Sequence, residues 1–169
     1  MPFFLDCEAA SLDETYSYPI EVAWGCPDTG IIRSYLIDPT GVETWTDWDP
    51  AAQAVHGLSR GYLREHGLPP RQVAKEVLRQ LSGEVAMATA WDDKGWVDEL
   101  TLRTRGVIAS IQWRNAQAHF LELARKDQDW AEEAQRLAWE RLEAQGVHPH
   151  RAANDVRHLM ETRKILLEG

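Results

Sequence analysis

Apolar and polar residues recur along this chain with two periods, and those periods mark out its elements. Residues 2–8 run Pro-Phe-Phe-Leu-Asp-Cys-Glu, apolar first and acidic last, as a buried strand would if it ended at a site. Residues 19–24 alternate and are β-rich, while 25–30 carry the turn residues Gly25, Pro27, Asp28 and Gly30. Residues 31–37 return as a strand stopped by Asp38-Pro39. These three strands predict an antiparallel meander. Asp49-Pro50 opens a short Ala-rich helix closed by Gly57. Val73, Val77, Leu78 and Leu81 fall at helical spacing and predict a helix over 70–81, ended by Gly83. Residues 85–90 suit a buried strand, 94–103 a helix and 107–113 a further strand. Residues 115–145 are long, charged and helical, and predict two helices broken near 127–129. His148-Pro149-His150 reads as a loop, and 152–167 as a terminal helix with Val156, Leu159, Met160 and Arg163 in register. The order predicts an α/β layer with a mixed five-stranded sheet, three antiparallel strands plus parallel ones, flanked by helices. No internal repeat, linker or low-complexity segment interrupts it.

The chain has 169 residues, enough for one domain, and 44% of them are hydrophobic, an ordinary share for a globular core. It lacks an apolar run of about 18 residues, so no membrane span is expected. No basic region followed by a long apolar run opens it, so no secretion signal is expected. Cys7 and Cys26 do not make a disulfide framework, and a reducing cytoplasm is the expected compartment. The net charge of −9 argues against long nonspecific tracking along duplex DNA, where affinity depends on many phosphate contacts. That charge is uneven. Residues 1–100 hold 7 Lys and Arg against 17 Asp and Glu, whereas 101–169 nearly balance at 11 and 10. A short single-stranded end gripped beside bound cations remains compatible with it.

Part of the acidity is itself candidate chemistry. Asp6 and Glu8 are two apart on a strand, so their side chains share a face. Carboxylates so close repel and raise one another's pKa, which a divalent cation with oxygen ligands relieves. Cys7 between them points to the opposite face, as a small buried residue. The third candidate lies in Trp91-Asp92-Asp93-Lys94-Gly95-Trp96, between the strand at 85–90 and a helix. Asp92 is expected to cap that helix or face solvent, and Asp93 to be the ligand. The fourth element is His150 with Asp155. Five residues along a helix rotate about 140°, so His150 is expected in the loop and Asp155 inside the helix. A loop histidine beside metal ions suits a general base.

Together these residues resemble the DEDDh family of 3′–5′ exonucleases, which have an RNase H-like fold. Asp6-x-Glu8 is similar to the first motif, Asp93-Lys94-Gly95-Trp96-Val97-Asp98 to the second, and His150-x-x-x-x-Asp155 to the third. Ala54-Val55-His56-Gly57-Leu58-Ser59 resembles a segment of proofreading-type members. The order and separations fit across nearly the whole chain. The resemblance implies that Asp6, Glu8, Asp93 and Asp155 hold two Mg2+ or Mn2+ ions. One ion would activate a water, and the other would stabilise the leaving 3′ oxygen. His150 would take the water's proton. The product would be a nucleoside 5′-monophosphate from a single-stranded DNA or RNA 3′ end. By the same resemblance Ala9, Ser11, Leu12, His56 and Leu58 would contact the terminal nucleotide; Leu12 and Leu58 either wedge beside its base or are ordinary core leucines, and His56 either touches the nucleotide or packs the loop. The chain departs from the family at Ala9-Ala10, where many members carry Thr or Ser. It departs also at Thr89-Ala90-Trp91 before the second motif, and at a long helical insertion, about 113–147, within one domain of 1–169.

Other features have readings of their own. Trp45, Trp48, Trp91 and Trp96 either fill the core or offer faces for base stacking. Arg151 either reaches a phosphate or lies on the surface at a helix start. Trp130, Ala134, Leu137 and Leu142 offer a stripe for a homodimer contact. The rival readings are a catalytically silent nucleic-acid or protein-binding module on the same fold, and an acidic adaptor docking a partner through 113–147. All five proposed catalytic positions hold competent residues, which favours the enzyme.

Overall fold

The computed structural model describes residues 2–13 and 15–169. Its central strand, β1 (Pro2–Ala9), pairs antiparallel with β2 (Pro19–Cys26), which pairs antiparallel with β3 (Ile31–Leu36). On the other edge β1 pairs in parallel with β4 (Val85–Ala88), and β4 in parallel with β5 (Gln112–Asn115). The sheet order is β3-β2-β1-β4-β5. Helices α1 (Pro50–His56), α2 (Arg60–His66), α3 (Pro70–Leu81) and α4 (Asp92–Arg105) precede β5. Helices α5 (Ala116–Leu123), α6 (Gln128–Glu143) and α7 (Ala152–Glu168) follow it.

Alternation along the central strands divides the core in two. Leu5, Ile20, Val22 and Trp24 face Val73, Val77, Leu81, Val97 and Leu100 of α3 and α4. Phe4, Ala23 and Met87 face Phe120, Val156 and Leu159 of α5 and α7. Phe4, Asp6 and Glu8 share one parity, so the acidic end of β1 lies on the α7 side. On β2, Glu21, Ala23 and Gly25 stand opposite Glu8, Asp6 and Phe4. A Cβ on Gly25 would lie 2.5 Å from Met160 Sδ and 2.7 Å from Val156 Cγ1, so only glycine lets α7 approach this closely.

Local chemistry sets most helix ends. Asp49 accepts from the Ala51 amide at 2.8 Å, and Gly57 closes α1 with φ 73°. Ser59 accepts from the Tyr62 amide at 3.1 Å and so starts α2, a helix the hydrophobic pattern had not marked. The helical stretch after β5 breaks at Arg125 and Lys126, both left-handed, before Asp127 caps α6.

Two strands differ from expectation. β4 stops at Ala88, and β5 spans 112–115 instead of 107–113. After Gly106 ends α4 in a left-handed turn, Val107 and Ile108 run exposed before the chain reaches β4. Their β-branched character reads as strand, but they have no ladder to join. The apolar positions of α6 also face inward. Ala134 and Leu142 are buried, and Trp130 and Leu137 pack on the core between the sheet and α7. Both cysteines are free. Among the described residues no helix is long and apolar enough to cross a membrane.

Candidate active site

The site forms where strands run out. β4 pairs with β1 only along Pro2–Phe4, whereas β1 continues to Ala9. Past the end of β4, the start of α4 takes the vacant edge: the Cys7 amide donates to Asp93 Oδ1 at 2.9 Å. Asp93 is 5% exposed, whereas its neighbour Asp92 is exposed and makes no side-chain cap to α4. From the opposite layer α7 brings Asp155. One carboxylate oxygen from each of Asp6, Glu8 and Asp155 lies within 4.8 Å of the other two. Asp93 stands outside that trio but close enough for its charge to act on Asp6 and Glu8.

Crowding and burial leave these carboxyls reluctant to ionise. Burial, then the charges of Asp93, Asp155, Glu8 and Glu21, holds Asp6 well above the usual carboxylate range. Burial pushes Glu8 up to about 8, helped by Asp155, Glu21 and Asp93. Burial also raises Asp93, against the hydrogen bonds from the Cys7 and Ala90 backbones. Asp155 is raised by burial to about 6, with His150 and the amides of His150 and Arg151 opposing the rise. Such a compact all-oxygen set fits a hard divalent cation, which would relieve the repulsion. Cys7 packs against the α3 and α4 core and also borders the cleft, but it is not among the three residues whose ligand atoms converge.

His150 is exposed in the loop before α7, with a left-handed φ of 66°. Its amide donates to Asp155 Oδ2 at 3.0 Å, so the loop is tied to the carboxylate cluster through its backbone. Loop and helix together solve the five-residue spacing: His150 precedes α7 and Asp155 lies in its first turn.

A cleft of about 390 Å³ opens beside Asp6, Glu8 and Asp93. Ala9, Ser11, Leu12 and His56 line it, as does Trp96. Leu12 is 89% exposed at its rim. Ser11 is buried, and its hydroxyl donates to Asp47. His56 is also buried; its Nδ1 accepts from the Leu58 amide at 3.0 Å, which leaves the ring proton on Nε2 when neutral. Leu58 does not line the cleft. It is 2% exposed and packs in the α3–α4 core, because the turn after Gly57 sends it inward.

The tryptophans separate by environment. Trp45 stacks on Tyr18 at 5.1 Å and donates to Glu99, and Trp48 donates to Gln53. Trp96 is buried, whereas Trp91 is 64% exposed.

Two residues of the site were not legible as such. Glu21 on β2 is 1% exposed and accepts both Nε and Nη2 of Arg151, at 2.9 and 3.1 Å. Arg151 therefore meets a carboxylate, where its place in the chain left phosphate or solvent open. The available signal was a single acid inside the otherwise apolar run Pro19-Ile20-Glu21-Val22-Ala23-Trp24, since a buried charge requires a partner.

No protein-family model matches the sequence, and no curated protein matches it at a significant level. Solved structures do share the fold. Exonuclease I from Methylocaldum szegediense superposes with a TM-score of 0.69 at 16% identity, covering 99% of this chain and 40% of that one. E. coli exonuclease I in complex with a dA16 oligonucleotide gives 0.67 at 13% identity, covering 99% and 42%. The zinc-bound E. coli exonuclease I–single-stranded DNA complex gives 0.67 at 13% identity, covering 94% and 38%. The α/β architecture, a mixed five-stranded sheet flanked by helices, is therefore the RNase H-like fold that the motifs implied. The chain spans about two-fifths of the length of those proteins.

Proposed function

We propose that this chain is a metal-dependent 3′–5′ exonuclease that acts on single-stranded nucleic acid and releases nucleoside 5′-monophosphates. The observation that carries the reading is the meeting of Asp6, Glu8 and Asp155 within 4.8 Å, from a strand and a helix about 150 residues apart. Beside them, the His150 loop is bonded to one of the three. Asp93 completes the set of four carboxyls at the carboxyl ends of β1 and β4, where open α/β sheets bind ligands.

In this reading Asp6, Glu8, Asp93 and Asp155 hold two Mg2+ or Mn2+ ions, and His150 accepts the proton of the attacking water. The ions would supply charge neutralisation at the phosphate and a more acidic water. The cleft beside Asp6 receives the terminal nucleotide: Leu12 offers an exposed apolar contact at the rim, and Ala9 and Ser11 line it. Trp91, exposed beyond Asp92, offers a face on which a preceding base could stack. The net charge of −9 suits a short grip on one end of a strand more than a long electrostatic track. Single-stranded DNA comes first among substrates because the fold relatives were solved with it.

The test is to incubate the purified chain with Mn2+ and 5′-labelled DNA and RNA oligonucleotides. Stepwise 3′ shortening with mononucleotide release is expected. Tight strand binding without shortening, with Mn2+ shown to bind, would instead establish a silent binding module.

A further inference from the structure

We propose that Glu21 and Arg151 are positioning residues. The pair fastens the start of α7 to β2, and so sets where His150 and Asp155 stand relative to Asp6 and Glu8. Its catalytic consequence rests on the exonuclease reading; its structural half does not.

Glu21 lies directly across the β1–β2 ladder from Glu8 and is nearly fully buried. A bare carboxylate there would be costly, so its partners matter. It accepts the Arg151 fork, the Ser34 hydroxyl at 3.1 Å and the Ala152 amide at 3.2 Å. The last contact is unusual. Arg151 occupies the cap position of α7 but makes no side-chain cap to its own helix. Glu21, 131 residues away, supplies the capping oxygen instead, and its charge suits the positive end of the helix.

Arg151 also sits between the two residues the site needs. Its carbonyl accepts from the Asn154 and Asp155 amides at 2.7 and 3.0 Å, which starts the turn that carries Asp155. On its other side His150 turns left-handed and donates its amide to Asp155. A shift of Arg151 therefore moves the candidate base and a candidate ligand together. The fork also occupies both oxygens of Glu21, so the acid beside Glu8 is paired within the protein and is not left as another metal ligand.

Variants E21Q, R151A, R151K and the double variant E21Q/R151A test the pair. Arg151 is partly exposed, so R151A carries the test if E21Q folds poorly. Two measurements are made: kcat and KM for shortening a labelled oligonucleotide at saturating Mn2+, and amide hydrogen exchange of Asn154 and Asp155 against Ile20 and Val22. In folded single variants, kcat should fall by about 10-fold to 100-fold while KM stays within about threefold, as expected for misplaced groups. The double variant should lose no more than the worse single, and R151K should recover part of the rate. Asn154 and Asp155 should exchange faster while β2 stays protected. Unchanged kcat in folded variants, additive losses in the double, or unchanged exchange would each overturn the proposal. If the wild-type chain cleaves no strand, the exonuclease reading fails, and the exchange measurement alone decides the brace.

Discussion

The backbone amide of Cys7 donates to Asp93 Oδ1 at 2.9 Å, so a carboxyl of α4 completes the hydrogen bonding of β1 where β4 has ended. Asp93 thus combines a structural acceptor with a charge beside Asp6. Two substitutions separate these. Asp93→Asn keeps an acceptor and removes the charge: thermal melts of the metal-free protein should show no loss at pH 8, while turnover falls about 10²-fold or more. Asp93→Ala removes the acceptor too, and should also lower stability by about 1–3 kcal/mol through the unsatisfied amide. Equal turnover in wild type and Asp93→Asn would remove Asp93 from the chemistry.

Stability of the metal-free chain should fall as pH rises. Glu8 and Asp155 titrate near 8 and 6 in the folded protein, above their ordinary values of 4.5 and 3.8. The folded state therefore holds more protons than the unfolded state between about pH 4 and 8, and unfolding becomes easier through that window. Melting temperatures in chelator should decline from pH 5 to pH 8, and Mn2+ should raise them more at pH 8 than at pH 5. A metal-free melting temperature that climbs over this range would contradict the assignment.

His150 combines an exposed imidazole with a strained backbone. His150→Ala and His150→Gly should both lower kcat about 10²-fold or more, as loss of a general base does. Their melts should differ. Glycine accepts φ 66° freely, whereas alanine incurs about 1 kcal/mol there, so His150→Gly should melt no lower than His150→Ala. Turnover retained in either variant would argue against a base at this position.

Gly25 lets α7 lie against β2. Gly25→Ala would drive a methyl into Val156 and Met160, and should destabilise the fold by about 1–3 kcal/mol. Because α7 carries Asp155, Mn2+ affinity measured by calorimetry should weaken as well. A variant with unaltered melting and metal affinity would show that α7 has slack.

Trp91 borders two hollows, one shared with Asp92 and Trp96 and the other with Trp113 and Arg114. Stacking is worth about 1–3 kcal/mol per base, so Trp91→Ala should raise KM about tenfold for longer oligonucleotides and little for dinucleotides. Trp91→Phe should keep most of the affinity. A KM independent of length in both variants would remove Trp91 from the strand path. Trp45→Ala, by contrast, should lower stability, since that ring is stacked inside the core.

Local pattern was enough to find most elements of this chain. Alternation located β1, β2 and β3, helical spacing located α3 and α7, and a two-residue step placed Asp6 and Glu8 on one face. These are short-range consequences of backbone geometry, which neighbouring residues specify. The Asp155 and His150 motif was legible for the same reason, as a loop followed by a helix. Other features depended on partners far along the chain. Val107 and Ile108 have the character of a strand, yet β5 forms only where β4 offers an edge. Leu58 could have been a wedge or a core leucine, and the turn after Gly57 decides it by burying the side chain. Glu21 is a single acid in an apolar run, and its role exists only because α7 brings Arg151 and the Ala152 amide to it. Whether Asp6, Glu8 and Asp155 would meet at all depended on the crossing of α7 over β1 and β2, which Gly25 permits. Side-chain direction is set by a residue's own neighbours, but convergence on one point requires packing between layers, and that exists only in the folded chain.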